Sequence, residues 1–276
     1  MFQSNNFKSP GSGPGSALPA ALAGRVVLVT GGSRGIGLAI AEACAREGAR
    51  LALVGRDATA LAAAKRRIPG ATTFIADVTK ERDVKALFAR VRRQFKRLDV
   101  LVNNAGVFTY KPFVRTSFAE WETNLNTNLT SLYLVTREAL PLLQSNPAPH
   151  IVNILSVSSR TAFPKCSAYC ASKFGALGFT RVIAEEFRPL GIRVTAILPG
   201  STSTRMTHEF DFAVARENLL QPRDVADAVL AALRQPARAT VDEILLTPSQ
   251  GNLAAQPGKT GKKRRLRPRV RRRPRG

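Results

Sequence analysis

A run of glycines between an apolar segment and a helical pattern constrains this chain more than any other feature. Val26–Thr30 reads VVLVT, the composition of a strand covered on both faces. It runs straight into Thr30-Gly31-Gly32-Ser33-Arg34-Gly35-Ile36-Gly37. The spacing predicts a helix over Gly35–Glu47, with Ile36, Ile40 and Ala43 on one face. Glycines allow the tight turn and let backbone N–H groups approach a pyrophosphate, which then faces the positive end of the helix. A structural glycine turn is the alternative. The position, between a strand and a helix near the start of the folded part, favours anion binding.

The same alternation continues to Leu246. Further strands are expected at Leu51–Val54, Thr73–Ile75, Val100–Asn103, Ile151–Ile154, Arg193–Ile197 and Glu243–Leu246. Further helices are expected at Ala58–Arg67, Glu81–Phe95, Phe118–Leu143, Tyr169–Phe187 and Arg223–Leu233. Strands separated by helices imply parallel pairing with right-handed crossovers. The expectation is one α/β domain over residues 22–250, a doubly wound Rossmann-type fold with a seven-stranded parallel sheet. A hydrophobic share of 44% supplies its core. Residues 1–21 read as a flexible arm rather than a signal peptide, and no apolar run suits a membrane helix.

Several motifs follow in order: TGxxxGxG at Thr30–Gly37, Asp77-Val78 after the third strand, and Asn103-Asn104-Ala105-Gly106 after the fourth. Ser156, Tyr169 and Lys173 follow the fifth, and Pro199-Gly200 the sixth. Together they resemble the short-chain dehydrogenase/reductase family over residues 22–250. The resemblance implies an oxidoreductase that moves hydride between a nicotinamide and a carbonyl or alcohol. It implies that Gly31, Gly32, Ser33, Arg34, Gly35, Ile36 and Gly37 hold the cofactor. Asp77 and Val78 would flank the adenine. Asn104, Ala105 and Gly106 would lie along the cofactor, with Pro199, Gly200, Thr202 and Thr204 towards the nicotinamide.

Cofactor choice rests on the end of the second strand. An NAD enzyme places an acid there, on the adenosine ribose. This chain has Gly55 in that place, then Arg56, with Arg34 in the glycine turn. Two guanidinium groups suit a 2′-phosphate, so NADP(H) is favoured over NAD. The alternatives are that both arginines are solvated surface charges, and that Asp57 is a ribose ligand or caps the next helix.

Tyr169 and Lys173 are four residues apart, on one helical face. A phenol has pKa about 10, and a neighbouring ammonium is expected to lower it by about 1–3 units, towards general acid/base use. YxxxK alone is a weak signal. Ser156, thirteen positions before Tyr169 and after the preceding strand, makes it specific within the family resemblance. By that resemblance Ser156 and Tyr169 bind the carbonyl oxygen, and Lys173 also holds the nicotinamide ribose. Asn128 is the fourth catalytic member, holding a water that relays protons to Lys173; otherwise it is a buried polar residue bonded to backbone.

The segment from Ser201 to about Asn218, with Met206, His208, Phe210 and Phe212, is expected to close over substrate, and Phe108, Phe113 and Phe163 can reach the same pocket. The aromatic residues suit either an apolar pocket or plain core. A 3-oxoacyl-carrier-protein reductase activity is an alternative, although Glu243–Pro248 lacks the glycine pair that commonly closes those enzymes. The resemblance also implies a homodimer or homotetramer through the two longest helices.

Charge raises a reading of another class. The net charge is +23, and eleven of those charges lie between Lys259 and Arg275, leaving +12 for the rest. Residues 251–276 are expected to be a disordered basic tail. Clustered Arg and Lys attract polyanions, nucleic acid included, but no aromatic residue offers base stacking. Cys44, Cys166 and Cys170 have no zinc or redox spacing, which suits a reduced cytoplasmic compartment and no metal. Cys166 and Cys170 flank Tyr169; a redox switch is one reading, and small buried thiols the other.

Overall fold

Seven parallel strands form one sheet in the order β3-β2-β1-β4-β5-β6-β7. They are β1 Val26–Thr30, β2 Arg50–Gly55, β3 Thr72–Ile75, β4 Val100–Asn103, β5 His150–Ile154, β6 Arg193–Pro199 and β7 Glu243–Leu246. The computed structural model describes residues 21–208 and 218–251. Its helices are α1 Gly35–Arg46, α2 Ala58–Arg67, α3 Glu81–Phe95, α4 Phe118–Leu125, α5 Ser131–Gln144, α6 Ser167–Phe187, α7 Arg205–His208 and α8 Pro222–Leu233. The doubly wound Rossmann-type α/β fold expected from the alternation is the fold observed.

The strand pattern explains the two layers. Val27 and Val29 of β1 pack with Ile40 and Ala43 of α1 and Val225 and Val229 of α8. Val26 and Leu28 point the other way, among Val84 and Leu87 of α3, Val135 of α5 and Ile183 of α6. Side chains alternate along a strand, so a strand buried on both faces must be apolar throughout, as β1 is. β1 and β4 are neighbours although β2 and β3 intervene in sequence. Their outgoing connections therefore diverge, leaving a crevice at the carboxyl ends of the strands.

The long helix expected over Phe118–Leu143 is two helices joined by a π turn, Asn126–Thr130. α4 begins with a capping box made by Ser117 and Glu120. The wider turn brings Asn128 inward, where its side chain bonds both ways with the Val107 backbone. Helical periodicity in sequence cannot show this, because the turn is held by a partner 21 residues away. Among the described residues no helix is long and apolar enough to cross a membrane, and no cluster of residues suits a metal ion.

Candidate active site

The glycine turn is clamped to the end of β4. The Thr30 hydroxyl accepts from the N–H groups of Asn104 (2.9 Å) and Ala105 (3.1 Å). The Asn104 side chain donates to the carbonyls of Thr30 and Gly31. Asn104 thus shapes the turn, and Thr30 is a site residue that the motif contained without showing its role. Gly31 and Gly35 have φ of +63° and +55°, where a side chain is strained. No side chain caps the start of α1. A helix start leaves N–H groups without intrahelical partners, and here they belong to a glycine-lined turn beside the crevice. This donor set fits a pyrophosphate.

At the end of β2, Arg34 pairs with Asp57, and both side chains are about half exposed. Asp57 also caps α2, accepting from the Ala60 N–H at 3.0 Å. The capping alternative for Asp57 is therefore the arrangement present. Arg56 is exposed nearby. Asp77 is partly buried, which raises its pKa, but hydrogen bonds from the Thr79 hydroxyl and N–H, with Arg56 and Lys80 close by, hold it below the ordinary carboxylate value. Val78 is buried.

Ser156 follows β5, and Tyr169 and Lys173 lie on α6. Ser156 and Tyr169 face one cavity, and the Ser156 hydroxyl favours the ionised form of the phenol. Ser156 Oγ also accepts from the Ser158 N–H at 3.1 Å. Phe108 packs edge-on against the Tyr169 ring at 4.7 Å. Lys173 Nζ donates to the Ile154 carbonyl at 3.1 Å and stands 5.8 Å from the Tyr169 ring centre.

The expected pull of Lys173 on the phenol is not what this geometry delivers. Burial pushes Tyr169 up to about 12, the Ser156 hydrogen bond lowers it less, and Cys166 and Cys170 add to the rise. Burial alone pushes Lys173 down to about 8. Packing around both groups makes their charged forms costly, and the ammonium lies over the ring rather than at the phenol oxygen.

Asn128 Nδ2 donates to the Ser172 hydroxyl at 2.9 Å, and Ser172 donates to the Tyr169 carbonyl at 2.7 Å. With both its bonds to Val107, Asn128 has the backbone-bonded arrangement weighed as its alternative role. Ser172 ties it to the tyrosine turn. Its place between Tyr169 and Lys173, three residues after the tyrosine, was the available signal. Gly106 lies against Asn128: a Cβ there would stand 3.3 Å from Asn128 Oδ1.

Ser156 and Tyr169 open on a cavity of about 140 Å³. Ile36 lies on its glycine-turn side, and Pro199, Gly200, Thr202 and Thr204 on another. Phe108, Phe163 and Met206 line it as expected, joined by Tyr110, which was not foreseen. Phe113 is not among its walls and is 77% exposed, in a short turn ahead of α4. His208 ends α7. Phe210 and Phe212 lie outside the described residues, as do residues 1–20 of the arm and 252–276 of the tail.

The sequence profile of the family described as short chain dehydrogenase matches residues 25–213. An uncharacterized oxidoreductase of Staphylococcus saprophyticus is 32% identical, over 81% of this chain and 97% of its own. Sepiapterin reductase of Chlorobaculum tepidum is 32% identical, over 83% and 98%. A crystal structure of a metagenomic short-chain oxidoreductase in complex with NADP superposes with a TM-score of 0.73 at 35% identity, covering 83% of this chain and 99% of that one.

Proposed function

Because the chain belongs to the short chain dehydrogenase family, we propose that it is an NADP(H)-dependent oxidoreductase acting on a carbonyl or secondary alcohol, with Tyr169 as general acid and base. The observation that carries this reading is the shared cavity, where Ser156 and Tyr169 meet Ile36 of the glycine turn and Pro199, Gly200, Thr202 and Thr204. A bound nicotinamide dinucleotide supplies the hydride. Gly31–Gly37 and the start of α1 hold its pyrophosphate. Asp77, Val78, Asn104, Ala105 and Gly106 line its path, and Lys173 binds the ribose nearest the reaction. Ser156 and Tyr169 orient the substrate oxygen. Negative charge grows on that oxygen during reduction, and Tyr169 gives up its proton to it. A phenol pushed up to about 12 is protonated at neutral pH, the state that reduction consumes. Ser156 is the group whose interaction with the phenol oxygen favours the phenolate left behind. Asn128 fixes the loop after β4 against the tyrosine turn.

The cavity walls of Phe108, Tyr110, Phe163 and Met206 favour a small carbonyl with apolar substituents. Initial rates with NADPH and NADH across aldehydes and ketones test the activity. A protein that binds neither cofactor by calorimetry overturns it.

NADP(H) is favoured by Arg34 and Arg56 beside Gly55, and by the NADP held in the related structure. The Arg34–Asp57 pair is exposed and screened by solvent, so Arg34 can exchange it for a phosphate. Replacing both arginines by alanine is expected to raise KM for NADPH about 10–100-fold, from the loss of charged hydrogen bonds, with little change for NADH. A wild type that prefers NADH sinks this assignment.

The tail supports a second, separable property: polyanion binding through the eleven charges of Lys259–Arg275. Removing residues 256–276 is expected to leave the reductase rate within about twofold and abolish salt-sensitive retention on DNA. Retention that survives the deletion counts against the tail. A homodimer or homotetramer is proposed through α5 and α6, where Tyr133, Phe174 and Val182 are exposed.

A further inference from the structure

A second cavity, of about 310 Å³, lies apart from the one that Ser156 and Tyr169 face. Its walls come from the end of α6 and the turn after it, the start of β6, and the segment between α8 and β7. The active cavity takes Pro199, the last residue of β6, and the second cavity takes Arg193, the first. A strand rises about 3.3 Å per residue, so the two ends are about 20 Å apart.

Arg193 sets the character of this cavity. It is only 8% exposed. Its Nη1 donates to the carbonyls of Gln235 at 3.1 Å and Ala239 at 3.2 Å, which fixes the plane of the guanidinium. Among the described residues nothing accepts from its Nε or Nη2, and no carboxylate pairs with it. Burial, and then the Arg25 cation, pull its pKa below the ordinary guanidinium value, and no acid offsets them. A guanidinium nevertheless stays charged in a protein. A buried cation without a counter-ion is costly, so an anion beside Arg193 is stabilising.

The neighbouring side chains extend the charge. Arg238 is exposed on the same wall, and among the described residues it too has no carboxylate partner. Thr240 adds a hydroxyl to the wall. Arg188 is already engaged, by Glu185 at 2.8 Å and by Asp242 at 4.0 Å. Asp242, the carboxylate on the wall, is thus turned to Arg188. Two cations are left, Arg193 and Arg238. A phosphate monoester carries a charge of about −1.5 to −2 at pH 7 and three acceptor oxygens. That matches both cations, and a guanidinium presents paired donors to such an oxyanion. The cavity has the volume of about ten liquid water molecules at about 30 Å³ each, which leaves space beyond the phosphate group.

We propose that this cavity is a second ligand site that takes the phosphate of a small monoester, with Arg193 and Arg238 as its cationic partners and Thr240 as a hydroxyl donor. The site is independent of the reductase chemistry, because none of its walls is shared with the active cavity.

The test titrates the full chain, saturated with NADPH, with glycerol 3-phosphate and separately with inorganic phosphate, in about 0.15 M salt to screen diffuse binding. Calorimetry reads affinity, and amide exchange reads position. The expected result is slower exchange over residues 236–242, with the glycine turn unchanged, and tighter binding of the ester than of inorganic phosphate. Arg238→Glu is expected to weaken ester binding about 10–100-fold, the worth of a charged hydrogen bond. Arg238 is exposed, so this variant should fold as wild type. Arg193→Gln should weaken binding likewise, with thermal unfolding as the check on its fold. Removing residues 256–276 should leave the protection over 236–242 in place. Protection that is absent, or that disappears with the tail, overturns the site. Unchanged affinity in Arg238→Glu and Arg193→Gln overturns the assigned partners. Inorganic phosphate that binds as tightly as the ester overturns the monoester and makes this a free-phosphate site. Should the chain bind no NADPH, the cofactor reading fails on its own, and exchange over 236–242 still decides this site.

Discussion

Tyr169→Phe is expected to lower the rate of NADPH-dependent carbonyl reduction about 10²–10⁴-fold, the range that a positioned general acid contributes. The substitution removes one oxygen and keeps the ring, so the edge-on contact with Phe108 at 4.7 Å survives. It also removes the interaction of the phenol oxygen with Ser156 and leaves the other packing of the ring in place. The fold should therefore persist, with cofactor affinity changed little. The comparison to make is kcat and NADPH affinity, wild type against variant. A variant that keeps more than about a tenth of the rate removes Tyr169 from the chemistry. A variant that loses NADPH binding and rate together makes Tyr169 a positioning group for the cofactor. The protonated state of the phenol sharpens the expectation, because burial holds it well above neutral pH and the site has a proton to give.

Gly37→Ala is expected to weaken NADPH binding at least about 100-fold and to destabilise the domain by about 1–3 kcal/mol or more, the usual cost of forcing atoms into a packed site. A Cβ at Gly37 would stand 2.3 Å from the Gly31 carbonyl oxygen and 2.4 Å from Asn104 Nδ2. Neither neighbour is free to retreat. The Gly31 oxygen belongs to the turn itself, and Asn104 Nδ2 is held by Thr30 and Gly31. The methyl group must push α1 away from the turn, which displaces the N–H groups proposed to meet the pyrophosphate. Gly178→Ala is the control. Gly178 lies within α6, is exposed, and a Cβ there meets nothing within 4 Å. Alanine should stabilise the helix there by about 0.5–1 kcal/mol. Thermal unfolding and calorimetric NADPH titration of both variants check the contrast. Equal behaviour of the two would mean that the close contact at Gly37 does not govern the turn.

The sequence by itself determined the order of strands and helices, because a strand covered on both faces is apolar at every position and a helix repeats its apolar face. VVLVT at β1 and the apolar stripe of α3 are local signals of that kind. The glycine turn and the Tyr169–Lys173 pair were legible because they are contiguous or fixed by one helical turn, and Ser156 through its place in the family resemblance. What lay between distant segments was not. The Thr30–Asn104 clamp, the π turn that brings Asn128 to Val107, and the link through Ser172 depend on partners tens of residues away. Phe113 and Phe163 look alike in sequence, yet one is exposed and the other lines the cavity. The protonation of Tyr169 was decided by the tertiary structure too. A lysine four residues away suggested a lowered phenol, but burial of both groups reversed the direction. Desolvation is set by everything packed around a group, and no local spacing records it.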